Sequence, residues 1–294
     1  MHFQPTRPAS HRLANLRVVS LPRDLQAFLQ IASTQEYEFG KSVMVTGANR
    51  GIGLEWVRQL RKLDTPPKYI FATVRQPENQ TYMKNLKELA NDGASSSQVI
   101  IMKLDVNKMD EIEQMRVKVS QVVGDDGLNV LINNAGIFLK EQSPFDKTNQ
   151  ADMILTMNTN SVGPVMVAQA LTPFLEKAAS KSTTSSDEMR ISRGAIINTS
   201  SILGSLLISD HFGLDYSMSK AALNMATRRL AVFFYDKGVM VTSIHPGWVK
   251  TRMGGPNAQI TTEESVVPLI ATAKAWTTNS TGGYYDRFGE RIPF

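Results

Sequence analysis

The chain contains no cysteine and only four histidines, His2, His11, His211 and His245. Disulfide frameworks, thiol nucleophiles and thiolate metal sites are therefore excluded, and the histidines show no ligand spacing, so no metal centre is expected. Acidic side chains are missing from residues 1–23, where Arg7, Arg12, Arg17 and Arg23 supply +4 of the formal +5; residues 24–294 hold the remaining +1. A basic total ordinarily suggests polyanions, but a near-neutral remainder argues against nucleic acid as a partner. Long apolar runs are scarce as well. Residues 153–175 are the longest uncharged stretch that suggests a membrane span, yet they include Asn158, Asn160, Gly163, Gln169 and two prolines. In hydrocarbon those amides would go unpaired, so the stretch reads as a long helix of a soluble core, with no membrane span. No apolar core of a secretory signal opens the chain, which points to a cytoplasmic protein.

What is present is enough apolar residue for a large core, 42% of 294, in a repeating order. Short apolar runs at 42–45, 69–74, 99–104, 130–132, 194–198 and 239–244 are each followed by a helical stretch, at 52–63, 80–90, 110–123, from about 152, at 216–235 and at 263–275. A last short strand is expected at Tyr284 and Tyr285. Strands without polar alternation, each followed by a helix, predict a parallel sheet covered on both faces, a doubly wound α/β domain. The serine-rich patch at 180–186 reads as a solvated loop at the end of the sheet away from the ligand.

The first strand runs into Thr46-Gly-Ala-Asn-Arg-Gly-Ile-Gly53 and then a helix. In that context Gly47, Gly51 and Gly53 permit a tight turn, let backbone N–H groups approach a pyrophosphate and let helix and strand pack closely. A P-loop is excluded because no Gly-Lys-Ser/Thr follows, and a serine hydrolase because no G-x-S-x-G elbow exists. The second strand ends Phe71-Ala-Thr-Val-Arg75 with no carboxylate before Glu78, so the acid that takes the ribose 2′-OH of NAD is missing. Arg75 with Arg50 can clamp a 2′-phosphate instead, which favours NADP over NAD, unless both are solvated surface charges. Asp105, in Leu104-Asp-Val106, can accept from an adenine amino group or cap the helix that follows. Asn133-Asn-Ala-Gly136 ends the fourth strand, where small residues let a ribose lie against the backbone.

Tyr216-Ser-Met-Ser-Lys220 opens a helix, and the i, i+4 spacing puts phenol and ammonium on one face, about 5–6 Å apart at Cβ. A neighbouring Lys⁺ lowers a tyrosine's pKa by favouring the phenolate. Ser200 and Ser201 follow the fifth strand, where a hydroxyl can polarise a carbonyl. Asn160 lies in the preceding helix.

In this order, from Lys41 to the C-terminus, these motifs resemble the short-chain dehydrogenase/reductase family. Residues 51–56, 200–205 and His245-Pro-Gly-Trp-Val-Lys-Thr251 are similar to its branch of C-factor and sniffer-type carbonyl reductases. The resemblance implies a Rossmann-like, mostly parallel seven-stranded sheet with helices on both faces over residues 41–294, after a poorly ordered extension at 1–40. It implies that Tyr216 is the acid in reduction or the base in oxidation, that Lys220 lowers its pKa and holds the nicotinamide ribose, that Ser201 polarises the carbonyl and that Asn160 holds a water in a proton relay. Further cofactor contacts are implied for Asn49, Ile52, Val106, Asn134, Ala135, Gly136, Tyr216, Pro246 and Gly247, with Val249 meeting the carboxamide through its backbone and Thr251 the pyrophosphate. Two departures stand out. The 15-residue spacing from Ser201 to Tyr216 is longer than the family's common one, and Arg252 stands where the branch often has Asp.

The implied function is an NADP-dependent oxidoreductase, NADPH preferred, acting on a small carbonyl compound or secondary alcohol, as a homo-oligomer built on two long helices. The alternative is a dinucleotide-binding signalling or regulatory protein with little turnover; such proteins can lose the Tyr or the Lys, and both are kept here. Residues 206–214 and 251–261 are expected to line the substrate pocket. In the extension, Leu21, Leu25, Phe28 and Leu29 share one helical face. The Arg-rich stretch before it has the composition of a mitochondrial transit peptide, or is a disordered tail or gene-model extension.

Overall fold

In a computed structural model of the chain, the described residues are 39–139, 145–181, 188–208 and 213–294. The expectations for the N-terminal helix, for most of the serine-rich loop and for pocket residues 209–212 lie outside them. Seven strands, β1 (Ser42–Val45), β2 (Tyr69–Val74), β3 (Gln98–Lys103), β4 (Val130–Asn133), β5 (Ala195–Thr199), β6 (Met240–Ile244) and β7 (Tyr284–Tyr285), form one sheet in the order β3-β2-β1-β4-β5-β6-β7. Every neighbouring pair is parallel, and Val43 of β1 sits in register between Ile70 and Val130. Interleaved with them are α1 (Gly51–Leu60), α2 (Gln80–Asn91), α3 (Met109–Val123), α4 (Gln150–Met157), α5 (Gly163–Ser180), α6 (Leu214–Phe234) and α7 (Thr262–Ala275).

Alternate strand side chains enter opposite cores. Val43, Val45, Ile70, Ala72, Val130 and Ile132 pack with Trp56 and Leu60 of α1, Met83 of α2 and Leu269 of α7. Met44, Phe71, Leu131 and Ile196 pack on the other face with Ile112 of α3, Leu171 of α5 and Phe234 of α6. Both faces are covered, which is why the strands carry no polar alternation; each fully buried aliphatic side chain contributes about 1.5–3 kcal/mol. The chain runs from β1 to β2 on one side and places β4 on the other, so the order reverses between β1 and β4. The crevice beyond the C-terminal ends of those strands is where such a sheet binds ligands.

One expected helix is divided. The stretch from about 152 starts at Gln150, because the Asn149 side chain accepts from the Asp152 N–H at 2.9 Å, and it is interrupted by a π-helical turn, Asn158–Val162, before α5. The first helix ends at Leu60, short of Leu63, and Tyr235 falls in a 3₁₀ turn ahead of Gly238, whose φ of +69° stops the helix. Among the described residues no helix is long and apolar enough to cross a membrane, and no group of three or more His, Asp or Glu could hold a metal ion.

Candidate active site

The turn after β1 is built by contacts that its glycines permit. Gly47 and Gly51 have φ of +67° and +54°, conformations costly for any side chain. A Cβ on Gly53 would clash with the Gly47 carbonyl oxygen and lie 2.6 Å from Asn134 Nδ2, so only glycine lets α1 close on the turn. Thr46, to which the sequence pattern gives no role, joins this turn to the end of β4: its Oγ1 accepts from the N–H groups of Asn134 and Ala135, both at 2.9 Å. Asn134 answers by donating Nδ2 to the Thr46 carbonyl at 2.9 Å. Thr251 closes the opposite side, its Cγ2 3.2 Å from where a Gly51 Cβ would be.

Around this turn the expected cofactor residues divide. Arg50 and Arg75 are both exposed at its rim, and Arg50 Cζ stands 5.8 Å from the Tyr82 ring centroid. Asp105 accepts from the Asn107 N–H at 3.0 Å, while the N-cap of α3 is Lys108, so Asp105 makes a local turn and does not cap the helix. Val106 is buried against Gly163. Asn133 is also buried; its Nδ2 donates to Asn198 Oδ1 at 2.9 Å and to the Pro164 carbonyl at 3.2 Å, tying β4 to β5 within the sheet. Beyond β6, the Pro246 carbonyl accepts from Ser265 Oγ at 2.7 Å, Gly247 turns with φ +88°, and Val249 bridges to Ile260.

Tyr216, Lys220, Ser201 and Asn160 meet near the ends of β4 and β5. Tyr216 is hydrogen-bonded to Ser201 and stacked on Phe138 with ring centroids 4.8 Å apart. Lys220 Nζ lies 5.5 Å from the Tyr216 ring centroid and donates to the Thr199 carbonyl at 2.7 Å. The protonation picture differs from the expectation of a lowered tyrosine. Burial pushes the Tyr216 phenol up to about 12, opposed only by the Ser201 hydrogen bond. Burial also brings the Lys220 ammonium down to about 8. Desolvation penalises both charged forms. Asn160 sits in the π turn, where its Oδ1 accepts from the Ile137 N–H at 2.8 Å and its Nδ2 donates to the Ile137 carbonyl at 2.9 Å and to Ser219 Oγ at 3.0 Å. Extra residues wound into a helix in this way are frequent at functional sites.

Three further residues, to which the sequence reading gives no role, support this group. Ser219 donates to the Tyr216 carbonyl at 2.7 Å and so links Asn160 to α6. Phe138 covers one face of the Tyr216 ring. His245 accepts from the Ile202 N–H through Nδ1 at 3.2 Å, fixing the turn that carries Ser201; burial first, then the Arg287 charge, hold it down to about 4, so it is neutral at physiological pH. The residues fit a dinucleotide. A Cβ at Gly136 would fill the floor of the crevice, 3.2 Å from Asn160 Oδ1 and 3.7 Å from Lys220 Nζ, and a buried ammonium with side-chain-free backbone beside it suits ribose hydroxyls and phosphates.

Known proteins share this fold. The carbonyl reductase Sniffer of D. melanogaster superposes with a TM-score of 0.81 at 36% identity, covering 87% of this chain and 100% of that one. An NADPH-bound carbonyl reductase from chicken fatty liver superposes with a TM-score of 0.82 at 34% identity, over 90% of this chain and 97% of its own. The C-signal protein of Myxococcus xanthus is 32% identical over 168 residues, 57% of this chain and 93% of the bacterial protein. The short chain dehydrogenase family model matches residues 41–261, from the lysine before β1 to the N-cap of α7. The fold is thus shared with carbonyl reductases over nearly their whole length, and the chain belongs to the short-chain dehydrogenase family of oxidoreductases.

Proposed function

We propose that this protein reduces an apolar carbonyl compound to an alcohol with NADPH, Tyr216 acting as the proton donor. The observation that carries the reading is geometric: the Tyr216 phenol, protonated at physiological pH, lies beside Ser201 with the Lys220 ammonium 5.5 Å from its ring centroid, which brings together a proton donor, a second hydroxyl and a cation. When bound, the nicotinamide dinucleotide supplies the hydride. Ser201 and Tyr216 both present hydroxyls to the carbonyl oxygen. Lys220, anchored on the Thr199 carbonyl, stabilises the phenolate left after proton transfer. Asn160 works from behind by holding the Ile137 peptide and Ser219, its amide being engaged on both sides. Around this group Leu206, Leu207, Leu139, Trp248 and Met253 expose apolar surface, which supports an apolar substrate. Exposed Met225, Val232 and Phe233 along α6 support a homo-oligomeric contact.

The preference for NADPH rests on Arg50 and Arg75 and on the absence of a carboxylate at the end of β2; the NADPH-bound chicken relative is consistent with it. The likeness to C-signal favours a second reading, a dinucleotide-binding signal with little turnover. Purified protein offered NADPH and a panel of dicarbonyls and quinones decides between them. Tyr216→Phe is expected to lower kcat by about 10³-fold, in the range of a lost general acid, with the Kd for NADPH within about threefold. Unchanged turnover in the variant would sink the assignment, equal kcat/KM for NADPH and NADH would remove the phosphate preference, and a wild type that binds NADPH but turns over no carbonyl would favour the signalling reading.

A further inference from the structure

Three chain segments bring arginines to one rim of the crevice, and one of those arginines has no part in the reading above. Arg50 belongs to the glycine turn, Arg75 follows β2, and Arg252 lies in the loop after β6, all exposed. Tyr82, in the first turn of α2, joins two of them: Arg50 Cζ is 5.8 Å and Arg252 Cζ 6.0 Å from its ring centroid, and Arg252 Nη1 donates to its hydroxyl at 3.1 Å. Arg252 is presented on a built turn. Gly254 N–H donates to Thr251 Oγ1 at 3.0 Å and Trp248 Nε1 to the Gly254 carbonyl at 2.8 Å, while Thr251 itself packs on Gly51. Among the described residues none of the three guanidinium groups is ion-paired with a carboxylate. The charges of Arg252 and Arg75 both make Arg50 a weaker base, after the effect of its own partial burial. Like charges gathered without a counter-charge cost free energy unless an anion joins them, and a phosphate dianion matches the guanidinium fork.

We propose that Arg252 is a third phosphate-binding residue, which recognises the 2′-phosphate of the cofactor's adenosine half from the loop bordering the substrate pocket, with Tyr82 positioning its guanidinium. The inference rests on the NADP reading and adds to it a residue that a third chain segment brings to the same rim. Adenosine 2′,5′-bisphosphate and adenosine 5′-monophosphate differ only in that phosphate and carry no nicotinamide, so calorimetric titration of the full chain isolates the contact without any turnover. Arg252→Ala is expected to weaken the bisphosphate about 10- to 100-fold, the range of a hydrogen bond to a charged group, and the monophosphate by less than about twofold. Tyr82→Phe keeps the ring and removes the hydroxyl; about a threefold loss confined to the bisphosphate is expected for a positioning residue. Equal weakening of both ligands by Arg252→Ala, or no change in either, would overturn the inference. If the wild type binds both ligands alike, the NADP reading itself fails; if it prefers the bisphosphate, Arg75→Ala abolishes that preference and Arg252→Ala retains it, only the role of Arg252 fails.

Discussion

Burial moves three titratable groups of the site, Tyr216 upward and Lys220 and His245 downward, and for His245 the direction has a consequence for stability. In the unfolded chain an imidazole takes up its proton near pH 6.5, whereas in the folded chain His245 stays neutral down to about 4. Its contribution is therefore fully present above about pH 6.5 and is lost as the pH falls from there towards 4, amounting to on the order of 3 kcal/mol. His245→Asn keeps an acceptor within reach of the Ile202 N–H and removes the titration. Between pH 7 and 4.5 the Tm of this variant is expected to fall less steeply than that of the wild type. Parallel curves for the two proteins would show that His245 titrates normally.

Elements place Ser201 against Tyr216, and the tightest point of that junction is Gly204. It closes the 3₁₀ turn Ile202–Gly204, its N–H donating to the Ser201 carbonyl at 2.8 Å, and a Cβ added there would lie 2.7 Å from both the carbonyl carbon and Cβ of Lys220. Gly204→Ala must push the turn and α6 apart. Overpacking of this kind costs about 1–3 kcal/mol, and a displaced Ser201 is expected to lower kcat about 10-fold or more, with KM little changed. Steady-state kinetics and a urea midpoint measure both effects; a wild-type kcat would mean that the turn yields elsewhere.

The same junction shows what could be read from sequence. β2 is legible residue for residue because it is a continuous apolar run, and Tyr216 with Lys220 because four residues on a helix is a local spacing. The π turn at Asn160 leaves no trace in a 3.6-residue period, so a single long helix is expected where three pieces stand. Thr46, Ser219, His245 and Tyr82 act through contacts across long separations, as far as the 170 residues between Tyr82 and Arg252, and single polar residues carry no period. Asn133 is the converse case: its motif is plain, but its side chain is spent on Asn198 of β5 and the Pro164 carbonyl of α5, which only the packing reveals.

The charge of the whole molecule depends on where the domain is taken to begin. Asp24, Glu36 and Glu38 offset three of the four N-terminal arginines, so residues 39–294 carry +4 of the +5. The short-chain dehydrogenase domain is itself basic, and Arg50, Arg75 and Arg252 place part of that charge where a phosphate is proposed to sit. At the start of the described residues the packing uses Phe39. That ring is fully buried, 6.2 Å from Trp56 between centroids, and the segment after it is held by Asn129, whose Oδ1 accepts from the N–H groups of Lys41 and Ser42 at 3.0 and 3.2 Å. A chain beginning at Phe39 keeps this contact, and one beginning at Ser42 is therefore expected to have a lower urea midpoint than it, by about 3–5 kcal/mol of stability, the scale of an emptied phenylalanine site. Equal stability of the two truncated chains would show that Phe39 contributes nothing.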